Sequence, residues 1–213
     1  MKELTVLMIC ILSVFFYMNF VRQKLYLEKI RANNGTEYLV RNLPDKVEAA
    51  NKLGRISDSL KNLVNGLGGD SGDSGDSGDS GDSGDSGDSG EGSKGKSDYI
   101  KQLKDSFHHE QITENIPGSM YVAYSVNKGE ELSLCIREKD SEKFIDENTI
   151  IFVAIHELSH IMTHETGHTP LFWDNMKYLL EKASSQGIYM PQDYSTNPVT
   201  YCGMDINSTP MNS

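Results

Sequence analysis

Residues 148–173 read NTIIFVAIHELSHIMTHETGHTPLFW, and the fold turns on them. Ile151, Ile155, Leu158 and Met162 recur at three- and four-residue intervals, the spacing of one face of an α-helix. Glu157 is the only charged side chain between Thr149 and Thr163, so this helix can be buried. His156 and His160 stand four apart, one helical turn, which projects both imidazoles from the same side and lets them ligate one metal ion. Glu157, beside the first histidine, cannot easily enter that coordination sphere but can reach a water held by the metal. Zinc lowers the pKa of such a water to about 7, and Glu157 would then take its proton as general base. The HExxH order on a helix otherwise free of charge points to hydrolysis at a carbonyl.

Zinc in such a site needs a third protein ligand, and His164, Glu165, His168 and Glu181 are the candidates. A continuous helix would carry His164 two turns, about 12 Å, past His156, too far to share a metal with both earlier histidines. Gly167 offers a left-handed helix stop that turns the chain back over the site. His168 is therefore the expected third ligand and Glu181 the alternative. Thr169 and Pro170 then open a second helix as cap and first residue. Phe172, Met176, Leu179, Leu180 and Ala183 form its apolar face, Gly187 its stop. Trp173, the single tryptophan, is expected in the core between the two helices.

Upstream of the motif, residues 120–126 and 132–137 read as two strands joined through Asn127-Lys-Gly129, a β-hairpin. Residues 97–110 can form a short helix with Ser97 as cap. Downstream, Tyr189, Tyr194 and Tyr201 are all candidates to donate a hydrogen bond to an oxyanion, and spacing does not choose among them. Cys10, Cys135 and Cys202 are too few and too scattered for a disulfide framework, so Cys202 reads as a buried thiol.

Four parts precede and include this region: an anchor over 1–21, a juxtamembrane segment over 22–65, a linker over 66–96 and the domain over 97–213. Residues 4–21 form an uncharged stretch of eighteen, long enough to cross a hydrocarbon core of about 30 Å as a single-pass helix. Arg22, Lys24, Lys29 and Arg31 follow it, which by the positive-inside rule directs the C-terminal bulk to the cytosol. A cleaved signal peptide is the competing reading, but no A-x-A-like site follows. Pro44 to Leu63 carries Val47, Ala50, Leu53, Ile56, Leu60 and Leu63 at helical spacing, a stripe expected to pack on the domain. Residues 69–89 are seven Gly-Asp-Ser triplets with no apolar side chain, a flexible and self-repelling tether.

Net charge is −11, and residues 97–213 hold eight basic against seventeen acidic side chains. So acidic a domain repels nucleic acid, whose binding needs clustered Lys and Arg. The same charge would favour basic peptide segments as substrates.

HELSH at 156–160 followed by GHTPLFW at 167–173 resembles the WLM and SprT-like zinc metallopeptidases, and in particular membrane-anchored WLM-type proteins of large DNA viruses. Asp193-Tyr-Ser, Pro198 and Tyr201-Cys-Gly203 extend that resemblance over roughly half of the chain. It implies an α+β fold of minimal gluzincin-like type, a small sheet packed on the HExxH helix plus a following helix. It also implies His156, His160 and His168 as zinc ligands, Glu157 as base, and a protein or peptide as substrate. His168 falls eight residues after His160, where many members have six. The expectation is thus a membrane-anchored zinc metallopeptidase; the alternative is a zinc-containing membrane or virion structural protein without turnover.

Overall fold

The structure, a computed structural model, describes residues 26–68, 91–119, 121–126, 129–163 and 165–212, together with Met8, Ile11, Ser13, Val14 and Tyr17. Of the anchor expected over 1–21 only those five residues are described, and most of the tether expected over 66–96 falls outside the described residues. Among the described residues no helix is long and apolar enough to cross a membrane.

Among the described residues the fold is mixed α+β, a central sheet with four main helices. Strands β1 (Leu27–Arg31), β2 (Glu37–Arg41), β3 (Ile112–Glu114), β4 (Ala123–Val126) and β5 (Glu131–Leu134) make one five-stranded sheet in the order β1-β2-β3-β5-β4. The hairpin expected before the motif is present, with Ala123 opposite Leu134 and Val126 opposite Glu131, but both strands are shorter than their alternation predicts. β3 runs parallel to both β2 and β5 and joins the two hairpins into one sheet. Its three residues give too short a run to be read as a strand without those neighbours.

Helix α1 (Lys46–Gly66) lays its stripe on the β1–β2 hairpin. Ala50, Leu53, Ile56, Leu60 and Leu63 are fully buried, while Val47 is exposed. The fit is close enough that a Cβ added at Gly54 would meet the Ala32 side chain at 3.2 Å. Residues 27–66, expected as a segment ahead of the domain, therefore share its sheet and its core. The reason is burial: five apolar side chains on one helix face cannot stay in water, and the hairpin supplies Tyr38 and Val40 to cover them.

Helix α2 (Glu91–Ser106) starts six residues before the position read from its sequence. Lys96 accounts for part of this, because its ammonium donates to the Asn175 carboxamide oxygen at 3.0 Å and lies over the Tyr178 ring. No local cap is needed when a tertiary contact fixes the first turns. Helix α3 (Glu147–Met162) carries the HExxH motif, capped by the Asp146 carboxylate, which accepts from the Thr149 N–H at 3.1 Å. It contacts α1, α2, β4 and the following helix α4 (Pro170–Ser185), and so has little solvent-facing surface away from the motif. A short hairpin, β6 (Val199–Tyr201) and β7 (Met204–Ile206), and a 3₁₀ turn at Pro210–Asn212 complete the chain.

One buried ion pair ties the sheet together. Arg137, 2% exposed, donates to Glu114, 1% exposed, at 2.8 Å and reaches Asp45 ahead of α1 at 2.7 and 2.9 Å. Glu114 also accepts the Arg41 backbone N–H at 2.8 Å. Burial raises the Glu114 pKa against these partners, whereas the Arg137 hydrogen bonds hold that of Asp45 down.

Candidate metal centre

His156 and His160 leave α3 on one side, and Gly167, at φ +86°, lets the chain reverse so that His168 comes back over them. The Thr169 side chain then caps α4, accepting from the Phe172 N–H at 3.3 Å, with Pro170 in the first turn as expected. The Nε2 atom of His168 lies 3.1 Å from that of His156 and 3.2 Å from that of His160. Tetrahedral zinc with Zn–N bonds of about 2.0–2.1 Å sets its ligand nitrogens roughly 3.3 Å apart, so the donor set fits the ion. Burial holds the pKa of His156 down to about 3 and that of His160 to about 4, with the neighbouring imidazoles adding to the effect. Both rings are neutral at pH 7, the form that ligates a metal.

Among the described residues these three are the one group of His, Cys, Asp or Glu with convergent ligand atoms. Glu165 and Glu181 lie outside it, Glu181 near Lys96 instead. His164 falls outside the described residues.

Glu157 is buried beside the triad, and burial raises its pKa to about 7 although the Ser125 backbone on β4 pulls the other way. A carboxylate that exchanges a proton near neutrality suits a general base.

Two features of the site were not legible in the sequence. Phe172, read as an ordinary core position of α4, is the floor of the triad: its ring centroid lies 4.9, 4.4 and 4.6 Å from those of His156, His160 and His168. A fully buried ring touching all three imidazoles restricts their orientations at once. Trp173 does not sit between the helices but is 39% exposed at the cleft beside the triad, 5.4 Å from His168. Its place one residue after Phe172 turns it about 100° around the helix, away from the core.

The opposite side of the cleft comes from the segment 121–123 leading into β4, from Tyr201 and residues 204–206 of the β6–β7 hairpin, and from Asn207 and Ser208 just after it. Of the three tyrosines left open by spacing, only Tyr201 lines this cleft. Tyr189 and Tyr194 pack instead on Phe152, at 6.0 and 4.7 Å between centroids. The hairpin is held to the sheet by a disulfide between Cys135 and Cys202, with Cα atoms 6.4 Å apart across 67 residues of sequence. That pairing corrects the reading of Cys202 as a free buried thiol. Residues far apart in sequence met because the sheet places the end of β5 against the hairpin, which no spacing rule reports.

Residues 101–207 match the family model of the WLM domain. The R325 protein of Acanthamoeba polyphaga mimivirus is 31% identical over 170 residues, which cover 80% of this chain and 77% of that protein. The 136R protein of Invertebrate iridescent virus 6 is 41% identical over 69 residues, 32% of this chain and 38% of that protein. Among solved structures, Wss1 from Saccharomyces cerevisiae aligns at 16% identity with a TM-score of 0.46, covering 70% of this chain and 89% of that one. With a family match across half of its length and a viral relative aligned over four fifths of it, the chain belongs to the WLM domain family.

Proposed function

We propose that this protein is a zinc-dependent metallopeptidase that hydrolyses peptide bonds, tethered to a membrane by residues 4–21. The observation that carries the reading is the convergence of the three imidazoles, at metal-ligand spacing, beside a buried carboxylate at the edge of a cleft. His156, His160 and His168 would hold the ion, which when bound supplies a Lewis acid and a water that gives up a proton near pH 7. Glu157 takes a proton at a carboxylate oxygen from the water that attacks the peptide carbonyl, and returns it to the leaving nitrogen. β4 lies at the edge of the sheet next to this carboxylate, so an extended peptide can lie along it as an added strand and present a bond to the site. Phe172 keeps the imidazoles oriented, so that little reorganisation is needed during the reaction.

The N-terminal stretch gives single-pass attachment in this reading, and the acidic surface of the domain gives no footing for nucleic acid. Two signals part over which side of the membrane the domain faces. The basic flank after the stretch directs it to the cytosol, whereas a disulfide persists in an oxidising compartment. Alkylation of the protein in intact cells followed by mass spectrometry decides between them: modified Cys135 and Cys202 mean a reducing side, protected ones an oxidising side.

Metal content and cleavage of unfolded casein, measured on the full chain and its variants, test the function. One zinc per chain is expected in wild type, Glu181→Ala and Glu157→Gln, and loss of it in His168→Ala. Cleavage is expected to fall by at least about a hundredfold in Glu157→Gln. A wild type without zinc overturns the reading. A Glu157→Gln variant as active as wild type removes the base, and zinc without any cleavage leaves a structural protein of metallopeptidase-like fold.

A further inference from the structure

The cleft beside His156 and Glu157 encloses about 350 Å³, at the small end of the roughly 300–1,000 Å³ typical of ligand pockets. Phe152 and Met176 are buried in its base, and Val153 and Ile206 stand half-buried on its sides. Three large apolar side chains left open to solvent gather around the same cavity: Tyr121 is 62% exposed, Met204 54% and Trp173 39%. They come from the segment before β4, from β7 and from α4, so no single amphipathic element explains their meeting. Apolar surface concentrated in this way at one concavity marks a place that something apolar covers.

Charge narrows the occupant. Among the described residues no lysine or arginine lines the cavity, and its carboxylates are Glu157 and Asp205, the latter accepting from the Thr200 hydroxyl at 3.0 Å. An acidic side chain would meet like charge there. A lysine or arginine side chain would surrender its water to apolar walls, and the one carboxylate besides Glu157, that of Asp205, is exposed to solvent, where a pair with it is worth little. An aromatic or long aliphatic side chain loses nothing and covers the exposed rim.

We infer that this cavity is the specificity subsite for a bulky apolar side chain next to the scissile bond. The substrates are extended protein segments carrying phenylalanine, leucine, isoleucine or methionine, exposed when a protein is unfolded, and not the basic segments that the net charge of the domain favours. The inference rests on the peptidase reading for its scissile bond, but occupancy of the cavity can be read without turnover.

Trp173 is the single tryptophan of the chain, so its fluorescence reports directly on the cavity. Full-length Glu157→Gln protein loaded with zinc is titrated with hexapeptides identical except for one central residue, Phe, Leu, Lys or Glu. The Phe and Leu peptides are expected to change the emission and to bind at least tenfold more tightly than the Lys and Glu peptides. Ile206→Lys, a half-buried side position, should abolish that preference and raise binding of the Glu peptide; Val153→Lys serves the same purpose should the first variant fail to fold. Equal binding of all four peptides, or a preference for Lys, overturns the inference. In parallel, wild type is given a mixture of denatured proteins and its cleavage sites are mapped. Binding of Phe peptides without cleavage keeps the subsite and removes the peptidase reading, whereas cleavage without apolar preference keeps the peptidase and removes the subsite.

Discussion

One wall of the cleft comes from the consecutive helices α3 and α4, while the wall facing it is assembled from β4 and the β6–β7 hairpin, whose strands lie some 75 residues apart and are fastened by Cys135–Cys202. On the first wall every chemical group sits at a fixed offset from the next: four residues between His156 and His160, and a glycine turn before His168. On the second, nothing chemical is required of the sequence except that its segments arrive together. Chemistry on the one side is a matter of local helix geometry, and shape on the other is a matter of topology. The two sides should therefore fail in different ways.

The largest effect is expected on the local wall. His160→Ala removes one of three donors, so zinc affinity should drop by more than the tenfold to hundredfold that loss of an outer partner costs. Competition with a fluorescent chelator measures it, and the circular dichroism should not change. An affinity within a few fold of wild type would show that His160 is no ligand.

Phe172→Ala joins the two kinds of failure, because this ring is both core and floor. Truncation of a fully buried phenylalanine costs about 3–5 kcal/mol. Zinc affinity should fall as well, since three imidazoles lose one support. Urea denaturation with and without zinc separates the two, and an unaltered zinc affinity would make Phe172 a packing residue only.

Cys202→Ser addresses the far wall alone. A bridge across 67 residues is worth about 2–4 kcal/mol, so the urea midpoint should move accordingly while zinc affinity stays within about twofold of wild type. A loss of zinc binding here would mean that the walls are coupled and the contrast between them is too sharp.

The smallest effect is expected from acid. Asp45 and Glu142 have pKa values held down by hydrogen bonds from Arg137 and Arg41, so the stability they add is present above their ordinary values and is lost as pH falls through the lowered ones. Glu114 opposes this, because burial raises its pKa and the folded state takes up its proton more readily. A modest net loss is expected below about pH 4, mainly at the root of the far wall, where Arg137 follows Cys135 by two residues. Asp45→Asn should flatten the fall in urea stability between pH 5.5 and 3; an unchanged slope would assign the loss to other carboxylates.

The same contrast explains what could be read in advance. The helices α3 and α4, the Asp146 and Thr169 starts and the Gly167 reversal follow from spacing, capping and glycine chemistry within short windows. The β4–β5 hairpin was legible for the same reason. β3 was not, because its three residues become a strand only by pairing with β2 and β5, and β1 and β2, though they pair with each other across five residues, carry charges at 28, 29, 31, 37 and 41 that leave few apolar positions to show an alternation. The stripe on α1 announced that it needed cover, but what covers it is the hairpin just ahead of it.

By itself the sequence determined the identity and order of the reactive groups, since three histidines and a glutamate on an otherwise uncharged stretch of helix and its return turn owe their relation to 3.6 residues per turn and one permissive glycine. The tertiary structure alone decided that Phe172 lies under all three imidazoles, that Trp173 faces the cleft, that Tyr201 rather than Tyr189 or Tyr194 borders it, and that Cys135 meets Cys202. Those contacts join residues whose separation along the chain carries no information about their distance in space, and only the burial of the whole core sets them.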